Sequence, residues 1–168
     1  MKYWKSGIVF GVLLAIIGFV FTFTMMNGVI GMWKSTLFYY ASIIVISVIG
    51  VYYVKKSSGG YISFKDAFLL CILIITIGML LSQIVYAGYL SMISDSEKDK
   101  MIDIIVENQL ETFNYIEADE LEFEDALRSQ SEAMFEFNPV MIATTFASIF
   151  FMSIFGIIIS LIMRKERL

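Results

Sequence analysis

The chain of 168 residues has no histidine, one cysteine (Cys71) and one proline (Pro139). With no His, and with Cys71 set in an apolar run, zinc, haem and iron–sulfur ligation, Cys–His nucleophiles and intrachain disulfides are all removed, and no cofactor is implied. Cys71 reads as a small packing residue. Charge is missing over long stretches: residues 6–33, 35–54, 67–94 and 137–163 carry no Asp, Glu, Lys or Arg. Basic residues form no face long enough to follow a phosphate backbone, so nucleic acid is excluded as a partner. There is no phosphate-binding loop, dinucleotide fingerprint or serine nucleophile elbow either.

What fills those stretches is apolar. Hydrophobic residues make up 58% of the chain and the mean hydropathy is +0.78, values of an integral membrane protein. The run from Gly7 to Met26 alone spans about 30 Å at about 1.5 Å per residue, enough to cross the hydrocarbon. Lys2 and Lys5 in front of it suggest a signal peptide, but the run is too long for a signal core and no small-x-small cleavage site follows. Four spans are expected, at about 7–27, 36–54, 65–93 and 139–163, within one membrane domain covering 1–168. Trp33 and Lys34 fall in the first turn, and Tyr39, Tyr40, Tyr52 and Tyr53 lie near the ends of the second span, as interfacial aromatics do. Ser63 and Asp66 have capping-box spacing at the start of the third, and Asn138–Pro139 is a good cap and first position for the fourth.

Small residues recur at helical spacing in the first span, at Gly7, Gly11, Ala15, Gly18 and Thr22, and in the third, at Ala67, Cys71, Gly78 and Ser82. Such stripes let helix backbones approach closely. The first serves either homodimerisation or packing inside one bundle, and the second use is the more ordinary. Gln83 is the one strongly polar side chain of the third span. It suits an interhelical hydrogen bond, worth about 0.6–2 kcal/mol, or a polar path.

The remaining segment, 94–138, is of opposite character. It holds fourteen of the chain's sixteen carboxylates against Lys98, Lys100 and Arg128. Ser94 with Glu97 makes a capping box, after which Ile102, Ile105, Val106, Leu110, Phe113 and Ile116 recur on one side of a helix. A second start near Asp119 introduces Phe123, Ala126, Leu127, Met134 and Phe137. Two amphipathic helices joined around 117–119 are expected, their apolar faces covered by each other, by the span ends or by another protein. Asp95, Glu97 and Asp99 match the first positions of a calcium loop, but Lys100 replaces its turn glycine and Val106 its bidentate Glu, so no metal site is read here.

Lys and Arg are biased to one side. The N-terminus, the 55–66 loop and the C-terminal tail carry eight, Lys2, Lys5, Lys55, Lys56, Lys65, Arg164, Lys165 and Arg167. The positive-inside rule then places both termini in the cytoplasm and the acidic insertion outside. The expected architecture is all-α: an integral membrane four-helix bundle, multi-pass in the inner membrane, with an extracytoplasmic acidic helical hairpin between the third and fourth spans.

Four spans, the stretch Gly60-Tyr61-Ile62-Ser63-Phe64-Lys65-Asp66-Ala67-Phe68, a long polar insertion before Asn138–Pro139 and a basic C-terminus together resemble the bacterial DUF4199 family. The resemblance implies a bacterial four-span membrane protein and brings no activity or site residues with it.

An ion-coupled transporter needs an ionisable group at membrane depth, and the four spans have none. The functional expectation is a non-enzymatic accessory or interaction protein of the bacterial envelope, acting through its acidic hairpin on an envelope protein. Its candidate interaction face is Ile102, Ile105, Val106, Leu110, Phe113, Phe123 and Leu127, and its candidate helix-packing residues are Gly7, Gly11, Ala15, Gly18 and Gln83. The alternative is a small-solute or cation transporter or channel, oligomeric through the glycine face, with Gln83, Ser148, Ser153 and Ser160 along a polar path. The lipid bilayer is a partner on either reading.

Overall fold

A computed structural model describes the backbone of residues 3–113, 120–136 and 139–165, and their side chains apart from 111–113, 120–122 and 139–141. These residues form six α-helices: α1 (Trp4–Met26), α2 (Met32–Ser57), α3 (Phe64–Leu90), α4 (Asp95–Phe113), α5 (Glu120–Met134) and α6 (Pro139–Met163). The turn expected around 117–119, the Asn138 cap, Phe137 and the chain from Glu166 onward lie outside the described residues, as does the side chain of Phe113.

Four of the helices are long and apolar enough to cross a membrane, over Trp4–Met26, Met32–Ser57, Phe64–Leu90 and Ile142–Met163. Their outward faces expose large apolar side chains such as Val9, Ile16, Leu37, Phe150 and Ile162. Water would not tolerate apolar surface of this extent, whereas acyl chains would. Local chemistry sets the helix ends. Gly31, in extended backbone, caps α2, so Trp33 and Lys34 fall inside its first turn and not in the loop that the sequence suggests. Ser63 accepts a hydrogen bond from the Asp66 amide at 3.1 Å and opens α3. At the other end α3 stops at Leu90, because Ser91–Ile93 turn the chain toward the Ser94 cap.

α3 lies at the centre, against α1, α2 and α6. Its closest neighbour is α1, and the small residues explain why. The buried positions of α1 are Gly7, Gly11, Leu14, Ala15, Gly18 and Met26, the first five of them one helical stripe. Gly7 meets Leu73, and a Cβ at Gly11 would lie 2.7 Å from Ile77 Cβ and 3.3 Å from the Ile74 carbonyl oxygen. The core continues through Ile43, Val51, Leu70, Ile74 and Met152, from all four long helices except α1, which contributes Leu14.

α4 and α5 pack on one another and build a second core with the adjoining ends of α1 and α3: Met26, Leu90, Ile102, Ile105, Val106, Leu127 and Phe135. At the opposite end of the molecule the basic residues gather. Ile62 and Lys165 form an isolated antiparallel bridge with two 3.0 Å hydrogen bonds, and Lys165 extends over the Tyr61 ring. Lys55 donates to the Met163 carbonyl at 2.8 Å and so caps the last turn of α6 from a different helix. Tyr3 and Ser58 share a hydrogen bond of 3.1 Å at this same end.

Candidate functional site: a polar recess beneath the acidic helices

Between the halves of α1, α2, α3 and α6 nearest to α4 and α5 lies a cavity of about 270 Å³. α1 contributes Thr22 and Met25, α2 contributes Ser35, Thr36, Tyr39 and Tyr40, α3 contributes Ser82 and Gln83, and α6 contributes Thr144, Thr145 and Ser148. A second cavity, of about 190 Å³, shares Thr22, Met25, Ser82 and Gln83 and reaches Tyr86 and Met134 of α5. Hydroxyls and one amide therefore crowd a region in which the surrounding helix faces are apolar.

The helices position these groups by register. Gln83 stands seven residues before the end of α3 and Ser148 nine after the start of α6, depths of about 10 and 14 Å at about 1.5 Å per residue. The recess thus lies about 10–14 Å along these helices from the ends nearest α4 and α5. Beyond it the space between the long helices is filled by Leu14, Ile43, Ile74 and Ile75, all 0–1% exposed, so the recess is blind. Some of its hydroxyls are committed as donors: Ser35 to the Phe21 carbonyl at 2.9 Å and Thr22 to the Gly18 carbonyl at 3.0 Å. Each of these hydroxyls keeps lone pairs that can still accept. Gln83 is different, since its Oε1 is buried and has no hydrogen-bond partner among the described residues.

A third cavity, about 310 Å³ and almost wholly apolar, runs between α3 and α6 along Leu80, Ile84, Ala87, Ile142 and Phe146. It shares Gln83 and Thr145 with the recess. Among the described residues no carboxylate, amine or thiol lines any of the three cavities, and no group of three or more His, Cys, Asp or Glu is placed to hold a metal ion. The lining can bind by hydrogen bonds and by shape; it offers no charged group for acid–base work.

The family model DUF4199, described as a protein of unknown function, matches residues 5–165. The chain belongs to the DUF4199 family. No curated protein and no solved structure matches it.

The residues singled out from the sequence fall in two places. Gly7, Gly11, Ala15 and Gly18 lie buried within the chain: Gly7 and Gly11 against α3, Gly18 between Tyr39 of α2 and Ser82 of α3. Ile102, Ile105, Val106 and Leu127 are buried, and Leu110 and Phe123 partly so, in the second core. What α4 and α5 present outward in this DUF4199 chain is carboxylate, among them Asp95, Asp99, Asp103, Glu107, Glu124 and Asp125. Asp95 pairs with Lys98 at 3.1 Å and Asp103 with Arg128, both on the surface. Glu97 accepts from the Ser94 amide at 2.8 Å and the Ser94 hydroxyl at 2.7 Å, so the would-be calcium-loop carboxylates serve the start of α4. That Ser94 amide holds the Glu97 carboxyl below its ordinary value.

Of the four residues expected on a polar path, Gln83 and Ser148 line the recess. Ser153 and Ser160 donate to Ile149 and Gly156 of their own helix at 2.7 and 2.6 Å. Sequence reading missed Ser35, Thr36, Tyr39, Tyr40, Thr144 and Thr145. The available signal was their position: each lies in the half of its helix nearest the acidic segment.

Proposed function

We propose that this chain is a non-enzymatic accessory or interaction protein of the bacterial inner membrane, with both termini cytoplasmic and α4–α5 an acidic hairpin on the outer side. The observation that carries this reading is the internal use of the apolar faces of α4 and α5. With Ile102, Ile105, Val106 and Leu127 buried on the span ends, the hairpin is mounted on the four-helix bundle and its free surface is anionic. Such a surface suits an envelope partner rich in Lys and Arg, attracted over about a Debye length of 8–10 Å. The orientation is supported by Lys55, Lys56, Lys65, Arg164 and Lys165, which cluster at the end away from the hairpin.

The test is to replace Asp99, Asp103, Glu107, Glu124 and Asp125 by their amides together. Membrane yield and thermal stability should be retained, while in-cell crosslinking from α4 and α5 to an envelope protein falls. An unchanged crosslinking pattern would remove the acidic surface from the function.

The recess favours a second reading, a small-solute or cation transporter or channel. Its blind end at Leu14, Ile43 and Ile74 argues that conduction would require the bundle to rearrange. Solute uptake into proteoliposomes above an empty-vesicle control would support this second reading over the first.

A further inference from the structure

We propose that the recess and the apolar groove beside it form one site for a single-chain amphiphile with a small, uncharged, hydroxyl-bearing head, the chemistry of a monoacylglycerol. Two cavities of opposite character meet at the same pair of side chains, Gln83 and Thr145. The groove side is open to acyl chains, since Ile84 and Phe146 on its walls are 67% and 58% exposed. A ligand that entered laterally from the bilayer would keep its chain between α3 and α6 and place its head among the hydroxyls.

Three buried side-chain oxygens lack a partner among the described residues, those of Ser47, Ser131 and Gln83. Of these, Gln83 alone lines the cavities described above, at the junction of polar and apolar walls. Oε1 itself is occluded from the recess, so the Gln83 amide would turn for a head-group hydroxyl to donate to it, which would satisfy an atom that lacks a partner among the described residues. The charge of the head follows from the lining. An ion brought into this recess would lose hydration with no opposite charge to meet it, so a neutral head is favoured over phosphate or ammonium. Its size follows from the volume: about 270 Å³ lies just below the range of about 300–1,000 Å³ typical of small-molecule sites, which admits a glycerol-sized head and not an oligosaccharide.

The test uses the full-length protein in nanodiscs, with 1-monooleoylglycerol, oleyl phosphate and oleyl trimethylammonium as probes and native mass spectrometry as readout. One copy of the monoacylglycerol should be retained, at least tenfold more tightly than either charged probe. Gln83→Leu, which removes the acceptor, and Ala87→Phe, which fills the groove, should each weaken retention about tenfold; Ile16→Phe, on the outer face of α1, should not. A charged probe that binds as well as the neutral one, or retention indifferent to both substitutions, would overturn the proposal. A measurement on the unsubstituted protein guards against misfolded variants. A diazirine-bearing monoacylglycerol should label peptides containing residues 80–87 and 142–146, and labelling spread evenly over the four long helices would count against the site.

Discussion

The side chain of Leu14 in α1 rests on Gly78 of α3. A Cβ built at Gly78 would lie 2.5 Å from Leu14 Cδ2 and 2.9 Å from Leu14 Cβ, so even a methyl group cannot be added without moving α1. Gly78→Val should therefore destabilise the protein by about 1–3 kcal/mol, the usual cost of overpacking. Because one contact carries the effect, Leu14→Ala in the same chain should recover part of the loss. Denaturation of the four proteins of this double-mutant cycle in one detergent checks it; additive losses would mean that the clash is not the cause.

This contact also shows how much of the fold was legible beforehand. The small residues of α1 and α3 stand at helical spacing in the sequence, and charge-free runs of 20 residues or more mark the long helices. Spacing alone could not say that Gly7 and Gly11 face α3 and not a second copy, because a flat stripe fits either neighbour. The recess was still less visible. Thr36, Tyr40, Thr145 and Ser148 are common in membrane helices, and only the register of four helices brings them to one level. The capping of α6 by Lys55 joins residues 108 apart in sequence, a pairing that no local pattern announces.

Ser94 and Glu97 make a pH-dependent clasp on α4. The Ser94 amide and hydroxyl stabilise the Glu97 carboxylate, so its folded-state value lies below the ordinary 4.5. A depressed carboxyl contributes stability that is present above the unfolded value and lost as pH falls through the folded one. Glu97→Gln should thus speed hydrogen exchange in the first turn of α4 at neutral pH. As pH falls below the ordinary carboxyl value and through the lower folded-state one, wild type and variant should converge. A difference that persists once the carboxyl is protonated in the folded protein would mean that the carboxylate is not what the clasp depends on.

Leu127 and Arg128 are neighbours in α5 with unequal consequences. Leu127 is 6% exposed in the second core, whereas Arg128 and Asp103 pair at the surface with side chains 44% and 60% exposed. Leu127→Ala should cost about 2–5 kcal/mol locally and open α5 to protease. Arg128→Ala should leave the cleavage rate within error, and raising the salt should not change wild type either, since exposed pairs are screened. Equal sensitivity of the two variants would show that charge and not burial holds α5 in place.

Cys71 is fully buried, so the unmodified chain should give little background with a membrane-impermeant maleimide. This makes the sidedness of the helices accessible to single substitutions. Ser96→Cys, exposed in the first turn of α4, should label from outside sealed cells, and Ser57→Cys, at the end of α2, only after the membrane is breached. The reverse pattern would invert the proposed orientation and put the carboxylates in the cytoplasm.

Gln83 allows a stability measurement that separates binding from structure. If its amide merely joined helices, Gln83→Leu would remove a hydrogen bond and cost about 0.6–2 kcal/mol. Its Oε1 is instead buried without a partner among the described residues, and an unsatisfied buried acceptor is itself a burden of about 1–3 kcal/mol. In lipid-free detergent Gln83→Leu should therefore unfold at the same temperature as wild type or a higher one. Added 1-monooleoylglycerol should raise the wild-type midpoint and not that of the variant, since a ligand stabilises only a protein that binds it. Loss of stability in the variant without the amphiphile would assign Gln83 to helix packing.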